Sequence, residues 1–179
     1  MKKLLSLVLA LGILFSITAT CSLAEDNTES EFNRILLTKG SLIIKEFIDF
    51  KEIGDTGVVL QIATLTNPAE NTKYKALSLE WSYYNSKYDY GDGVGVLYAD
   101  EVASVISTLE FIKNNLSSMK DYTEIIYETN GGLEIGAYKS SSSSSLYLSN
   151  SSNQTDFLDV STISTFISVL KEAQKLLID

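Results

Sequence analysis

The sequence has no histidine and only one cysteine, Cys21, among its 179 residues. The absence of histidine excludes a Ser-His-Asp triad, a Cys-His dyad and a histidine-ligated zinc site. Cys21 falls in an N-terminal segment that we expect to be removed, so the mature chain would hold neither a disulfide nor a thiol nucleophile. We therefore predict no cofactor and no metal.

Positive charge is also scarce. The chain has 14 lysine and arginine residues against 23 acidic ones, which gives a net charge of −9, and Arg34 is its single arginine. The cations are scattered along the chain, so they form no basic patch that could neutralise a phosphate backbone. The composition predicts that nucleic acid is not a partner.

The first residues are typical of an export signal. Lys2 and Lys3 precede an apolar run over residues 4–17, which is too short for a membrane span of roughly 20 residues. Small residues then place a cleavage site after Ala24, which predicts a signal peptide over residues 1–24 and export to the periplasm or the extracellular space. The alternative is a lipoprotein anchored through Cys21, although Thr18 and Thr20 stand where such signals usually carry leucine and a small residue.

Residues 25–179 are predicted to form a single α+β domain of largely antiparallel sheets and two amphipathic helices. Alternation of apolar and polar residues indicates strands, most clearly in "KALSLEWSYY". The period then changes to that of a helix after Asp100 and again after Asp159, and both aspartates are predicted to be N-caps.

The order of elements predicts a duplication of four strands followed by a helix, with halves at residues 41–118 and 121–179. A shift of 58 positions superposes the two helical stripes, pairing Val105 with Ile163 and Leu109 with Ile167. This order, over residues 41–178, resembles that of the Whirly-type single-stranded-DNA-binding proteins. The family's Lys-Gly-Lys-Ala-rich strand motif and its basic character are absent here, so the resemblance implies a fold and not DNA binding.

The stretch "YETNGGLEIGAY" predicts a hairpin, because "LEIGAY" alternates as a strand does and no helix follows the glycines. A two-residue turn would set Leu133 opposite Glu128. A three-residue loop over residues 130–132 instead pairs Tyr127 with Ile135, which gathers the apolar residues on one face, so we predict this register with a left-handed glycine.

The predicted register sets Glu128 opposite Glu134, and these two are the candidate catalytic residues. A glycosidase needs two carboxylates about 5–9 Å apart, one of them with a raised pKa. The alternative is a solvated face of a sheet, on which neither carboxylate does any chemistry.

Aromatic residues crowd one predicted hairpin and are the candidate binding residues: Trp81, Tyr83, Tyr84, Tyr88 and Tyr90. Exposed rings beside carboxylates suit a sugar or a peptide, whereas the alternative is that some are core and the others cover the hairpin edge. In the same hairpin, "YDYGDG" does not keep the ligand spacing of a calcium loop, so we predict a turn that connects strands.

Taken together, these residues predict an exported, non-catalytic binding or structural domain, with a glycan or a protein at the cell envelope as its partner. A carboxylate-dependent glycan hydrolase and a surface lipoprotein are the alternatives. The residue patterns favour a protein that is not an enzyme.

Overall fold

The computed structural model describes Ile35, residues 39–86 and residues 89–177. The predicted signal peptide, Cys21 and Tyr88 lie outside these residues. In the described part of the chain, no helix is both long enough and apolar enough to cross a membrane.

The first half is a four-stranded antiparallel sheet followed by a helix. Its strands stand in chain order, so each pairs with the next. They are β1 (Ile44–Glu52), β2 (Val59–Asn67), β3 (Thr72–Ser86) and β4 (Asp89–Tyr98), and the helix is α1 (Val102–Asn115). β2 is apolar over both faces for much of its length because both are buried: Leu60 packs into the main core on one face, and Leu65 is buried on the other.

The second half repeats this plan. Its sheet is again antiparallel and again in chain order. The strands are β5 (Thr123–Glu128), β6 (Leu133–Lys139), β7 (Ser144–Asn150) and β8 (Asp156–Asp159), followed by α2 (Ile163–Gln174). The predicted α+β class with a duplicated layout is confirmed. The superposed helix positions, such as Leu109 and Ile167, are buried in both copies.

One apolar cluster contains residues from both sheets and both helices. Leu79 and Trp81 enter it from the first sheet, Ile135 and Leu148 from the second, and Leu109 from α1. A smaller cluster lies on the other face of the first sheet, where Ile35 packs with Ala63, Leu65, Ala76 and Tyr98. The first sheet is therefore covered on one face by the shared core and in part on the other, whereas the outer face of the second sheet carries the groove described below.

The glycine-rich start of β4 is a strand and not the predicted turn. Gly91 lies opposite Tyr83, Gly93 opposite Trp81 and Gly95 opposite Leu79, so the three glycines share the inner face with large side chains. A Cβ atom on Gly93 would lie 2.4 Å from Cε2 of Trp81. The glycines therefore make room for aromatic rings, a role that turn statistics do not anticipate.

We expect Gly93→Ala to lower the free energy of unfolding by about 1–3 kcal/mol, because the new methyl group collides with the fully buried Trp81. The indole is held in place by a hydrogen bond of 3.0 Å that its Nε1–H donates to the carbonyl oxygen of Gln154. Urea denaturation followed by tryptophan fluorescence measures the change. Gly91→Ala is the matched control, because its Cβ would meet Tyr83 at an ordinary 3.4 Å, and an equal loss in both variants would refute the steric explanation.

Of the two predicted helix caps, Asp159 caps the short 3-10 turn before α2, whose own N-cap residue is Thr162, and the prediction of Asp100 as the N-cap of α1 is wrong. Asp159 accepts a hydrogen bond of 2.8 Å from the backbone N–H of Ser161, at the start of the short 3-10 turn that leads into α2. α1 instead begins after Glu101, and its N-cap residue makes no side-chain capping bond. The carboxylate of Glu101 instead accepts hydrogen bonds from the backbone N–H groups of Tyr98 and Asn130.

The β5–β6 hairpin has the predicted three-residue loop. Tyr127 pairs with Ile135, Glu128 with Glu134, and Gly132 adopts a left-handed φ of 74°. The loop packs against β4 of the first sheet, where the hydroxyl of Thr129 donates a hydrogen bond of 2.9 Å to the carbonyl oxygen of Val96.

Glu101 completes this junction of the two halves. Its carboxylate accepts one hydrogen bond from the backbone N–H of Asn130 in the hairpin loop, at 2.8 Å, and one from the backbone N–H of Tyr98 at the end of β4, at 3.3 Å. A buried carboxylate thus joins the last strand of one sheet to the first hairpin of the other.

A candidate binding groove on the second sheet

An open groove of about 400 Å³ lies on the outer face of the second sheet. Alternate residues of β5, β6 and β7 point into it, and the loop before β8 closes one side. Its described lining residues are acidic, aromatic, aliphatic or small and polar, and none of them is a lysine or an arginine: Glu124, Ile126, Glu134, Tyr138, Tyr147, Ser149, Asn153, Thr155 and Phe157.

Tyr147 forms the floor of the groove. It lies opposite Gly136 in the ladder, and its ring covers that glycine so closely that a Cβ there would lie 2.4 Å from Cζ of the tyrosine. Phe157 packs beside it with ring centroids 6.1 Å apart and the planes tilted by 57°. Tyr147 is only 6% exposed whereas Phe157 is 65% exposed, so Phe157 offers its ring to a ligand and Tyr147 supports it.

Two carboxylates give the groove its charge. The hydroxyl of Tyr147 donates a hydrogen bond of 3.0 Å to Oε1 of Glu124. Burial raises the pKa of Tyr147 well above its usual range, and the bond to Glu124 and the negative charges of Glu124 and Glu134 raise it further. The tyrosine hydroxyl therefore stays neutral and remains a donor, and it lies in a field of negative sign.

Asn150, at the end of β7, organises the rim. Its Oδ1 accepts hydrogen bonds from the backbone N–H groups of Ser152 and Gln154, which shapes the loop before β8. Its Nδ2 donates to the carbonyl oxygen of Val94, which ties this rim to the first sheet. A bond of 2.8 Å between the hydroxyls of Ser149 and Thr155 fixes the base of the loop. Hydrogen bonds within the protein therefore fix the shape of the rim.

The structure places only one of the two predicted carboxylates in the groove. Glu128 and Glu134 are cross-strand neighbours on the outer face, as the register requires. Glu134 is half-buried and lines the groove, whereas Glu128 is exposed and does not. The second carboxylate of the groove is Glu124, which lies on the same face of β5 as Glu128.

The predicted aromatic cluster lies on two opposite faces of the first sheet. Trp81 is buried and Tyr83 packs against the shared core, both on the inner face of the first sheet. Tyr84 and Tyr90 are cross-strand partners on the opposite face and are strongly exposed. Tyr88 lies outside the described residues. The structure thus leaves two of the five candidates as an exposed pair, and it places them on the other sheet from the groove.

Acidic residues on the outer face of the first sheet are held by neighbouring side chains. The amide nitrogen of Gln61 donates to Asp49 at 2.9 Å and to Glu80 at 3.1 Å. Among residues 39–86 and 89–177 and Ile35, no three acidic, cysteine or histidine side chains are arranged to hold a metal ion.

Sequence reasoning missed Glu124, Tyr138, Tyr147 and Phe157. A signal for them does exist, because once the β5–β6 register is known, the outer-face positions of each strand follow by alternation. The placement of Tyr147 over Gly136 additionally needs the β6–β7 register, which the serine-rich segment between those strands does not specify.

Comparison with known proteins adds one structural match. No protein-family model and no curated protein sequence matches the chain. The crystal structure of WHY1 from Arabidopsis thaliana matches with a TM-score of 0.31 and 10% sequence identity, over 79% of this chain and 88% of that one. The likeness to the Whirly family is therefore a weak one, at the level of fold.

This match contradicts two of the predictions made from the sequence. WHY1 belongs to the family that was introduced above as binding single-stranded DNA, so the exclusion of nucleic acid as a partner is withdrawn. The prediction of an exported, non-catalytic binding or structural domain is also withdrawn, and so is its predicted partner, a glycan or a protein at the cell envelope. The two alternatives, a glycan hydrolase and a lipoprotein anchored through Cys21, are withdrawn as well. At so low a TM-score the match assigns no ligand to this chain.

Proposed function

We propose that the chain binds a small organic cation, such as a quaternary or methylated ammonium, in the groove on the second sheet. The observation that supports this is the combination of two carboxylates with aromatic side chains, and with no lysine or arginine, among the lining residues that the structure describes. A methylated ammonium needs both features, because its methyl groups pack on ring faces while its charge is attracted to ring quadrupoles and to carboxylates.

The exposed apolar and aromatic residues of the groove suit the binding of a methylated ammonium. Phe157 and Ile126 are more than half exposed, and Tyr138 is exposed at the edge of the groove. They supply apolar contact area at the mouth, while Glu124 and Glu134 supply negative charge beside the buried Tyr147. A phosphate or a carboxylate ligand would meet like charge at the same place, so this groove selects cations.

The choice of ligand rests on charge and can therefore be tested with an isosteric pair. Choline and its neutral carbon analogue, 3,3-dimethylbutan-1-ol, have nearly the same shape. We expect choline to bind at least about tenfold more tightly, because a charge-assisted contact and a cation–π contact each contribute on the order of 1 kcal/mol or more. Isothermal titration calorimetry measures both affinities, and equal affinity for the two compounds would refute the proposal.

Two charge-neutralising variants locate the site. Glu134→Gln should lower choline affinity by about three- to tenfold, because it removes one carboxylate from the groove. Glu128→Gln is the matched control, since it makes the same change of charge on the same face but outside the groove, and it should leave affinity within about twofold. A fluorescent single-stranded oligonucleotide tests the competing class of ligand. If the chain binds the oligonucleotide, choline does not displace it, and choline shows no binding of its own, the assignment of the groove is contradicted.

A further inference from the structure

A second surface of the molecule has no role in the groove. β1 is the terminal strand of the first sheet, and no strand among the described residues pairs with its outer edge. It carries exposed apolar side chains among charged ones: Phe47 is 55% exposed and Ile48 is 65% exposed, and Ile44 is exposed as well. A long exposed edge with apolar side chains is a template for pairing with another strand.

The sequence of this edge is complementary to itself. Lys45, Phe47 and Asp49 lie on one face of β1, because their partners in β2 are Leu65, Ala63 and Gln61, which alternate along one face of that strand. If two copies of β1 run antiparallel about a two-fold axis at Phe47, each Lys45 lies opposite Asp49 of the other copy. Opposite charges in directly facing positions stabilise a ladder, and the two phenylalanines meet on the axis.

The β-bulge in β1 does not interfere with this register. The irregularity falls between Asp49 and Lys51, so residues 44–49 keep a regular alternation. Other symmetric registers are poorer; an axis at Ile48, for example, would set Lys45 against Lys51. Lysine on an edge ordinarily discourages pairing, but here its position matches a carboxylate of a second copy.

We propose that the chain forms a symmetric homodimer through antiparallel pairing of β1 with β1 of a second copy, centred on Phe47. The pairing would join two four-stranded sheets into one of eight strands and would cover Phe47 and Ile48. It leaves the outer face of the second sheet open, so the dimer does not depend on the cation-binding proposal.

Sedimentation velocity of the full chain over a wide concentration range tests the dimer. We expect concentration-dependent dimerisation that Phe47→Lys abolishes. Phe111→Lys is the matched control, because Phe111 on α1 is 51% exposed and lies in a helix away from this edge, and it should dimerise as the wild type does. A chain that stays monomeric up to about 0.5 mM, where weak specific complexes are already populated, would overturn the proposal.

A charge exchange tests the register itself. Lys45→Asp and Asp49→Lys should each weaken dimerisation at least about tenfold, because each places like charges opposite one another. The double variant restores opposite charges in the same register, so it should return to within about threefold of the wild-type dissociation constant. Loss of the dimer in the double variant, with circular dichroism showing a folded chain, would contradict the register centred on Phe47.

Discussion

Gly131→Ala should destabilise the fold by about 3 kcal/mol, at the upper end of what overpacking costs. A Cβ atom on Gly131 would lie 2.3 Å from the carbonyl oxygen of Val96, which belongs to the other sheet. The same oxygen accepts the hydrogen bond from Thr129, so relieving the collision also breaks that bond. Gly131 and Val96 cannot move apart easily, because the carbonyl oxygen belongs to the backbone of β4 and Gly131 lies in the hairpin loop that packs against it.

Gly132→Ala separates this steric effect from backbone strain. Gly132 has the left-handed φ of the loop, but the nearest described atom to the position of its Cβ, Oγ of Ser151, is 3.7 Å away. Its substitution should cost only about 1–2 kcal/mol, the usual penalty for a left-handed residue other than glycine. Urea denaturation of both variants gives the comparison, and a smaller loss for Gly131→Ala than for Gly132→Ala would show that the junction is not as tight as the structure has it.

Glu101→Ala should lower the free energy of unfolding by about 2–4 kcal/mol. The change removes two hydrogen bonds that the carboxylate accepts, from the backbone N–H groups of Asn130 and Tyr98, and a hydrogen bond to a charged group contributes about 1.5–3 kcal/mol. The matched control is Glu110→Ala on α1, whose carboxylate makes a half-exposed ion pair with Lys171. That variant should lose no more than about 1 kcal/mol, and thermal or urea unfolding that ranks the two in the opposite order would refute the role of Glu101.

The stability contributed by Glu101 also depends on pH. Burial raises its pKa above the usual 4.5, and the charge of Asp100 adds to this, while the hydrogen bonds from Asn130 and Tyr98 oppose it. A folded-state pKa above the unfolded value means that stability is fully present below about 4.5 and is lost as pH rises through the folded-state pKa. The advantage of the wild type over Glu101→Gln should therefore shrink between about pH 4.5 and neutrality, and an advantage that grows over this range would contradict the account.

Local patterns predicted the elements and the hairpin register because those features depend on which face is buried. Alternation in β3 and β6 and the stripes of α1 and α2 were sufficient for the class and the duplication. The β5–β6 register followed from gathering Tyr127 and Ile135 on one face, and the structure has that pairing. The start of β4 was misread because the glycines there serve cross-strand packing against Trp81 and not a change of chain direction.

The groove was harder to predict because its residues come together only across four strands. Glu134 was found from one hairpin, but Glu124 and Phe157 lie at opposite edges of the second sheet and are joined through Tyr147 and Gly136. The acidic composition agrees in sign with the charges that line the groove, but it could not locate them, because net charge describes the whole surface and not one concavity. The aromatic residues that were most conspicuous in the sequence lie mainly in the first sheet, where Trp81 is core.

The most direct test of the proposed function is to locate a bound cation by nuclear magnetic resonance. With choline at saturating concentration, we predict intermolecular nuclear Overhauser effects between its N-methyl protons and the ring protons of Phe157 and Tyr138, the exposed walls of the groove. Contacts with Tyr84 and Tyr90 on the first sheet instead, or no contacts at saturation, would contradict the assignment of this groove as a cation site.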